Sequence, residues 1–175
     1  NKIKVTKKLK RNEKKDPFEI AVDNNFEAVI ENCSKITTLR KDTWINDTIK
    51  KIYIEMYKKG YAHSVECYLD NKLVGGLYGI VIGAVFFGES MFSSVTNASK
   101  FALFHLIERL IVGQFMFIDA QFINKHLIQF GAEEISGQVF KRILKEGINK
   151  KSNFEKLSKI GVVPNTVYPL TSNII

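Results

Sequence analysis

One glycine-rich, apolar stretch, residues 73–100, constrains the fold of this 175-residue chain more than any other part. Its first half predicts two strands, Leu73–Ile82 and Ala84–Phe87, because β-branched and aromatic residues fill both of them. The glycines are too many for ordinary strands, and each removes a side chain, so that another backbone or a ligand can approach closely. They stand at 75, 76, 79, 83 and 88. The stretch therefore predicts the floor and wall of a pocket.

A single carboxylate, Glu89, follows these strands in apolar surroundings. Its neighbours in the sequence are Phe86, Phe87, Met91 and Phe92. An acid in such a place has to be paired, protonated or turned toward solvent to be tolerated. Glu89 is therefore a candidate site residue.

The remaining segments predict helices and strands around this hairpin. Asp23 is a candidate N-cap of a short helix, and Thr43 is the candidate cap of a longer helix that ends before Gly60. Further predicted elements are a strand at 63–69, a buried helix at 98–112 after Asn97, a strand at 115–118 and a helix that Ser136 caps. This order predicts an α+β fold, in which a mixed, mostly antiparallel sheet is packed by helices.

The size and composition predict one domain with an ordinary hydrophobic core. No run of about 18 uncharged apolar residues predicts a membrane span, and no leader peptide is visible. We therefore expect a cytoplasmic protein with no membrane partner. Cys33 and Cys67 are interpreted as buried free thiols of a reducing compartment rather than as a disulfide. The three histidines are scattered, so no metal site is predicted.

The net charge of +8 is concentrated at the N-terminus. Residues 1–15 contain eight lysines or arginines against one acid, whereas the rest of the chain is nearly neutral. Such a run is typical of a solvated tail, and it also suits a phosphate backbone, whose neutralised phosphates release counterions. The candidate contacts to nucleic acid are Lys7, Lys8, Lys10, Arg11, Lys14 and Lys15.

Several short motifs follow one another in the order found in a known family. They are TWI at 43–45, HSVE at 63–66, GGLYG at 75–79, FFGESMFS at 86–93, NASK at 97–100 and FIDAQF at 117–122. Together they resemble the bacterial leucyl/phenylalanyl-tRNA–protein transferase family over residues 2–144. That family moves leucine or phenylalanine from charged tRNA to the N-terminal Arg or Lys of a protein, which marks the protein for degradation. Its members usually carry a segment rich in Trp and Pro ahead of these motifs, and this sequence starts after it.

The resemblance implies a GNAT-like acyltransferase fold. We divide the chain into a basic arm at 1–16, an aminoacyltransferase domain at 17–148 and a C-terminal tail at 149–175. The implied substrates are tRNA charged with Leu or Phe and proteins with N-terminal Arg or Lys, and we expect a monomer that needs no cofactor. The resemblance also favours tRNA as the partner of the arm, since Lys14 and Lys15 match a basic pair that the family uses for it.

Asp119 and Gln121 are the candidate catalytic residues. Residues two apart on an extended strand face the same side, so Asp119 would accept a hydrogen bond from the Gln121 amide and turn its carbonyl oxygen outward. The resemblance implies this pairing, in which that oxygen meets the incoming α-amine. The residues alone also fit an Asp that caps the following helix. They leave open whether either group acts as a true base.

Three further assignments complete the predicted site. Glu89 is a partner for the positive charges of the acceptor, and the alternative is a surface or salt-bridged glutamate. Trp44, at a helix entrance, is a stacking platform for the 3′ adenosine, and the alternative is a hydrophobic staple or a core residue. The predicted pocket for the donor side chain, whose members also fit a plain core, consists of Leu77, Phe87, Met91, Leu103, Leu106, Leu110 and Ile118.

Three alternative functions remain open at this point. An acyl-CoA N-acyltransferase normally places a glycine-rich pyrophosphate loop before its central helix, but the sequence there reads FSSVTNASK. A non-catalytic RNA-binding module that uses the basic arm alone leaves Glu89, Asp119 and Gln121 without a role. A degenerate family member is the third alternative, because the family's adenine sandwich would lack its N-terminal Trp.

Overall fold

A five-stranded sheet forms the centre of the fold. The computed structural model describes residues 18–37, 41–128 and 130–157. The strands are β1 (Glu19–Val22), β2 (Ala62–Leu69), β3 (Lys72–Ile82), β4 (Val85–Ser93) and β5 (Phe117–Asp119), and they lie side by side in this order. Neighbours from β1 to β4 are antiparallel, whereas β5 runs parallel to β4. The predicted mixed, mostly antiparallel sheet is confirmed.

Helices cover both faces of this sheet. They are α1 (Phe26–Ser34), α2 (Asp47–Lys58), α3 (Ala98–Val112), α4 (Lys125–Ile128) and α5 (Gly137–Gly147). One core cluster joins α3 to the sheet and a second joins α1 to it, so that neighbouring strand residues such as Leu77 and Tyr78 enter different clusters. The predicted α+β class is confirmed. None of the helices in the described ranges is long and apolar enough to cross a membrane.

The N-termini of the first two helices are capped by asparagines rather than by the predicted residues. Asn25 caps α1 and Asn46 caps α2, so the predicted caps Asp23 and Thr43 are wrong. Asp23 lies in the left-handed region with φ of 54°, and its carboxylate accepts the backbone N–H of Ser64 at 2.9 Å. Asp23 therefore binds a distant residue on β2 instead of capping the helix that follows it in the sequence.

The HSVE segment attaches α1 to β2. The Oε1 atom of Glu66 accepts the backbone N–H groups of Asn24 at 3.1 Å and Asn25 at 2.9 Å. It also accepts the hydroxyl of Ser64 at 2.7 Å. Burial raises the pKa of this carboxyl group against the lowering effect of these hydrogen bonds. The segment thus holds the start of α1 on the sheet, which is a structural role.

The helix α3 is buried along most of its length, as predicted. Gly75 allows its first turn to approach β3, since a Cβ atom at that position would lie 2.6 Å from the Cβ atom of Ala98. His105 is 6% exposed, and burial, with the nearby Arg109 cation, lowers its pKa to about 4. The imidazole is therefore a neutral packing group at neutral pH.

The segment that follows α5 packs back on to the domain. The buried Arg109 donates from Nη1 to the carbonyl oxygens of Phe154 at 2.7 Å and Leu157 at 3.0 Å. The ring of Phe154 stacks on His63 with centroids 4.1 Å apart. The described part of the predicted tail, 149–157, thus contributes to the core. The division of the chain into arm, domain and tail otherwise stays a prediction.

We expect Phe154→Ala to lower the free energy of unfolding by about 3–5 kcal/mol, because it opens a cavity in the core. Denaturant unfolding followed by circular dichroism measures this loss. Phe122→Ala is the matched control, since that ring is 81% exposed, and it should change the free energy by less than about 0.5 kcal/mol. Equal stabilities of the two variants would show that the segment does not contribute to the core.

Candidate functional site

The candidate site lies where β4 and β5 separate. Their parallel pairing ends at Phe87 on β4 and Asp119 on β5, whereas β4 continues to Ser93. Beyond this point the two strands no longer pair, and we call the space between β4 and the residues that follow β5 the gap. Glu89 lies on the β4 side of the gap, and Gln121 lies on the β5 side.

A β-bulge places Glu89 at this gap. Tyr78 pairs with Ser90 and Gly79 pairs with Gly88, so that Glu89 is the extra residue of β4. Gly79 is required here, because a Cβ atom on it would lie 2.2 Å from a carbonyl oxygen of β4. Bulges redirect a side chain and are frequent next to functional sites. The run of glycines thus positions the carboxylate that the sequence singles out.

A hydrogen bond between Gln121 and Glu89 crosses the gap. The Nε2 atom of Gln121 donates to Oε2 of Glu89 at 3.2 Å. An ionised carboxylate only accepts hydrogen bonds, so the amide nitrogen has to face Glu89. The carbonyl oxygen Oε1 of Gln121 is therefore turned away from Glu89 and is available to accept a hydrogen bond from another group.

Asp119 contacts Gln121 in a way that differs from the predicted one. β5 ends at Asp119, and Gln121 has a left-handed backbone with φ of 61°, so the two residues do not lie on one extended strand. Asp119 Oδ1 accepts the backbone N–H of Gln121 at 2.9 Å rather than its side-chain amide. The expected geometry is corrected in this respect. Asp119 holds the turn, and Glu89 orients the amide.

Tyr53 on α2 is a site residue that the sequence reasoning missed. Its phenol group forms a hydrogen bond with Glu89, and burial together with this bond raises its pKa. The phenol therefore keeps its proton and donates to the carboxylate. The sequence does place Tyr53 on the same helical face as Ile49 and Met56. No residue near Tyr53 in the sequence indicates that this face reaches a carboxylate 36 residues further along the chain.

Trp44 lies just before α2 and beside Tyr53. Its ring is 50% exposed, and it contacts the Tyr53 ring edge-on, with centroids 6.3 Å apart. Tyr53 in turn contacts Tyr78 at 5.2 Å. Trp44 is therefore not a buried core residue. The stacking role stays a prediction.

An apolar cavity of about 760 Å³ opens beside Asp119 and Gln121. Its walls come from α3, β5, residues 120–123, Leu127, residues 130–135 and the inner face of α5. A cavity of this size falls in the range that small ligands occupy. Its apolar lining residues include Leu103, Ile107, Phe117, Ile118, Leu127, Phe130, Phe140 and Ile143.

The structure separates the seven predicted pocket residues into two groups. Leu103 and Ile118 line the cavity. The other five belong to the main core or pack against it, and they are Leu77, Leu106, Leu110, Phe87 and Met91. The wall contributed by α5 was missed, although its apolar residues at 140, 143, 144 and 147 show helical spacing. That pattern predicts a buried helix face, but it does not predict which cavity the face lines.

The six basic residues assigned to tRNA lie outside the described residues. They are Lys7, Lys8, Lys10, Arg11, Lys14 and Lys15. The described ranges contain no group of three or more His, Cys, Asp or Glu side chains that could hold a metal ion. The described site thus consists of two carboxylates, an amide, a phenol and an indole, with an apolar cavity beside Asp119 and Gln121. This combination suits a protein that positions an apolar group beside a polar reacting centre.

Comparison with known proteins identifies the class. The family model for leucyl/phenylalanyl-tRNA protein transferase matches residues 1–145. The transferase of that name from Caulobacter vibrioides (strain NA1000 / CB15N) is 46% identical over 154 residues, which are 88% of this chain and 71% of that protein. Its counterpart from Zymomonas mobilis subsp. mobilis is 51% identical over 134 residues, or 77% of this chain and 50% of that protein. The chain belongs to the leucyl/phenylalanyl-tRNA–protein transferase family.

A solved structure with a partly similar shape is the ribosomal-protein-alanine N-acetyltransferase from Brucella melitensis biovar Abortus 2308. The TM-score is 0.44 at 8% identity, with 74% of this chain and 89% of that chain covered. The sheet and helices described above carry the fold assignment independently of this likeness.

We expect Trp44→Ala to weaken binding of an adenosine probe by about 1–3 kcal/mol, the usual contribution of one base–aromatic stack. Because the ring is half exposed, the free energy of unfolding should fall much less than for a core aromatic. Isothermal titration with adenosine measures the affinity. Tyr61→Ala, which removes another half-exposed ring, is the control and should bind like the wild type. A large loss of stability with unchanged affinity would show that Trp44 acts in packing.

Proposed function

We propose that this chain transfers leucine or phenylalanine from aminoacyl-tRNA to the N-terminal Arg or Lys of a protein, which marks that protein for degradation. Membership of the transferase family supports the aminoacyl-tRNA and protein substrates. The observation that carries the chemistry is the Gln121 amide, which Glu89 orients at 3.2 Å beside the apolar cavity. The amide suits the polar α-amine of the acceptor, and the cavity suits the apolar side chain of the donor amino acid.

The reaction needs no nucleophile from the protein. The neutral α-amine of the acceptor attacks the ester carbonyl carbon of the aminoacyl-tRNA, and a new C–N bond forms. The tetrahedral intermediate then collapses, the C–O bond to the 3′ ribose breaks, and the amine proton ends on the released 3′ oxygen. An activated ester makes positioning the main requirement, and positioning contributes about 7–11 kcal/mol in favourable cases.

Gln121 is the proposed catalytic residue, because its free carbonyl oxygen accepts an N–H of the attacking amine. This hydrogen bond turns the nitrogen lone pair toward the ester carbon. Glu89 and Asp119 act through it: Glu89 fixes the amide group, and Asp119 fixes the backbone N–H of the same residue at 2.9 Å. Tyr53 restrains Glu89 from the other side. Asp119 and Glu89 also provide negative charge that favours the approach of a cationic acceptor.

The cavity is the proposed site for the donor side chain. Its walls beside Leu103 and Ile118 are apolar, so leucine and phenylalanine gain from burial there. A negatively charged donor side chain would lose its hydration there and meet the carboxylates of Asp119, Glu133 and Glu134, which also line the cavity. Trp44, on the α2 side of the gap, is the proposed platform for the 3′ adenosine, so that the ester bond between adenosine and amino acid would lie near Gln121.

The acceptor is proposed to bind through Glu89. An N-terminal Arg or Lys brings two positive charges, and a carboxylate that already accepts two hydrogen bonds still has lone pairs for a charge-assisted bond. We further propose that the protein acts in the cytoplasm as a monomer without a cofactor, with the basic arm of residues 1–16 on the tRNA backbone. A salt titration of tRNA binding by the double variant Lys14→Ala and Lys15→Ala tests whether the arm binds the tRNA backbone.

We expect Asp119→Ala, which removes the acceptor for the Gln121 backbone N–H, and Gln121→Ala each to reduce the transfer rate by about 10²–10³-fold, as removal of one preorganised polar group does elsewhere. The assay follows labelled Leu or Phe from charged tRNA to a peptide with N-terminal Arg. Affinity for charged tRNA should stay nearly unchanged, because neither residue contacts its backbone in this proposal.

The matched controls are Glu19→Ala and Gln138→Ala, both at exposed positions away from the gap. They should transfer at the wild-type rate. If either site variant transferred at a nearly normal rate, the role assigned to that residue would be wrong. A wild-type protein that binds charged tRNA but transfers nothing would support the non-catalytic alternative instead.

A further inference from the structure

A second basic region lies in the otherwise nearly neutral part of the chain. Between 137 and 151 the sequence has five basic side chains and one acidic side chain. Three of them, Lys141, Arg142 and Lys145, are exposed on α5, and we call these three the basic face. Residues three and four apart lie on the same side of a helix. The three positive charges therefore form one patch.

Nothing in the described structure neutralises the basic face. None of its three side chains forms a salt bridge with another described residue, and the acid on the same helix, Glu146, pairs with Lys150 instead. A patch of unpaired cations repels itself and weakens the folded state slightly. Cations grouped in this way suit a polyanionic partner.

The opposite side of α5 is part of the proposed active site. Phe140 and Ile143 line the apolar cavity, and the ring of Phe140 meets Phe117 of β5 edge-on at 6.3 Å. An α-helix with its side chains is about 10–12 Å wide. The basic face therefore lies within about one helix width of the cavity that is proposed to hold the donor amino acid.

We propose that the basic face of α5 binds the phosphate backbone of the donor tRNA near its 3′ end. This inference rests on the proposed function, since it requires the aminoacyl group to enter the cavity. Lys141 and Lys145 are four residues apart, so their Cα atoms are separated by about 6 Å along the helix axis. The three cations of the basic face can thus neutralise up to three backbone phosphates.

The protein acceptor fits this face poorly. Its N-terminal Arg or Lys carries two positive charges, and like charges brought together at an interface are unfavourable. The basic face and the carboxylate of Glu89 therefore favour opposite partners.

The test is a salt titration of charged-tRNA binding with the triple variant Lys141→Gln, Arg142→Gln and Lys145→Gln. Each lost phosphate contact lowers the slope of log affinity against log salt by about 0.7–0.9. We expect the slope to fall by about two, and transfer at low tRNA concentration to fall in proportion to affinity. Transfer from aminoacyl-adenosine should change less than about twofold, because that donor lacks the backbone phosphates.

The control triple variant is Lys51→Gln, Lys59→Gln and Lys72→Gln, which removes three exposed lysines of α2 and β3. It should keep the wild-type slope. The proposal would be overturned if the plot of log affinity against log salt for the α5 variant ran parallel to that of the wild type. An equal loss of slope in the control variant would also overturn it. An increased KM for the acceptor peptide with unchanged tRNA affinity would assign the face to the protein substrate and would also overturn it. The outcomes of the salt titration are independent of whether the wild type catalyses transfer, which its own assay with charged tRNA decides.

Discussion

The site depends on one hydrogen bond, between the Gln121 amide and the Glu89 carboxylate, across strands that have stopped pairing. Three separate features make it possible. The bulge opposite Gly79 directs Glu89 to the gap, and the left-handed backbone at Gln121 directs its side chain back toward β4. Tyr53 restrains the carboxylate from α2. A hydrogen bond to a charged group contributes about 1.5–3 kcal/mol, which is enough to hold an amide in one orientation.

The apolar cavity and this polar pair complement each other. Side chains of α3, β5 and α5 form an apolar wall of the cavity beside Gln121, whereas the hydrogen bond between Gln121 and Glu89 is exposed. The same wall leaves the outer face of α5 to the solvent, where its unpaired cations lie. The inner face of α5 is thus proposed to contact the apolar side chain of the donor amino acid, and its outer face is proposed to bind the tRNA phosphates.

Local patterns in the sequence predicted the sheet and the buried helix α3, and they drew attention to Glu89, Asp119 and Gln121, which hydrogen bonds connect in the structure. They failed where a partner from a distant segment decides the outcome. Asp23 looks like a helix cap, but it binds Ser64 on β2. Asp119 and Gln121 look like strand neighbours, but β5 ends between them. Tyr53 and the α5 wall were missed because helical spacing shows that a face is buried, and it does not show what that face meets.

A double-mutant cycle on Glu89→Ala and Gln121→Ala, with kcat/KM for transfer as the readout, tests the central claim most directly. If Glu89 acts by orienting the Gln121 amide, removing Glu89 should change kcat/KM little once that amide is gone. We therefore expect the double variant to lose at least about 1 kcal/mol less transition-state stabilisation than the sum of the two single variants. Additive losses within about 0.3–0.5 kcal/mol would contradict the claim and would show that the two side chains act independently.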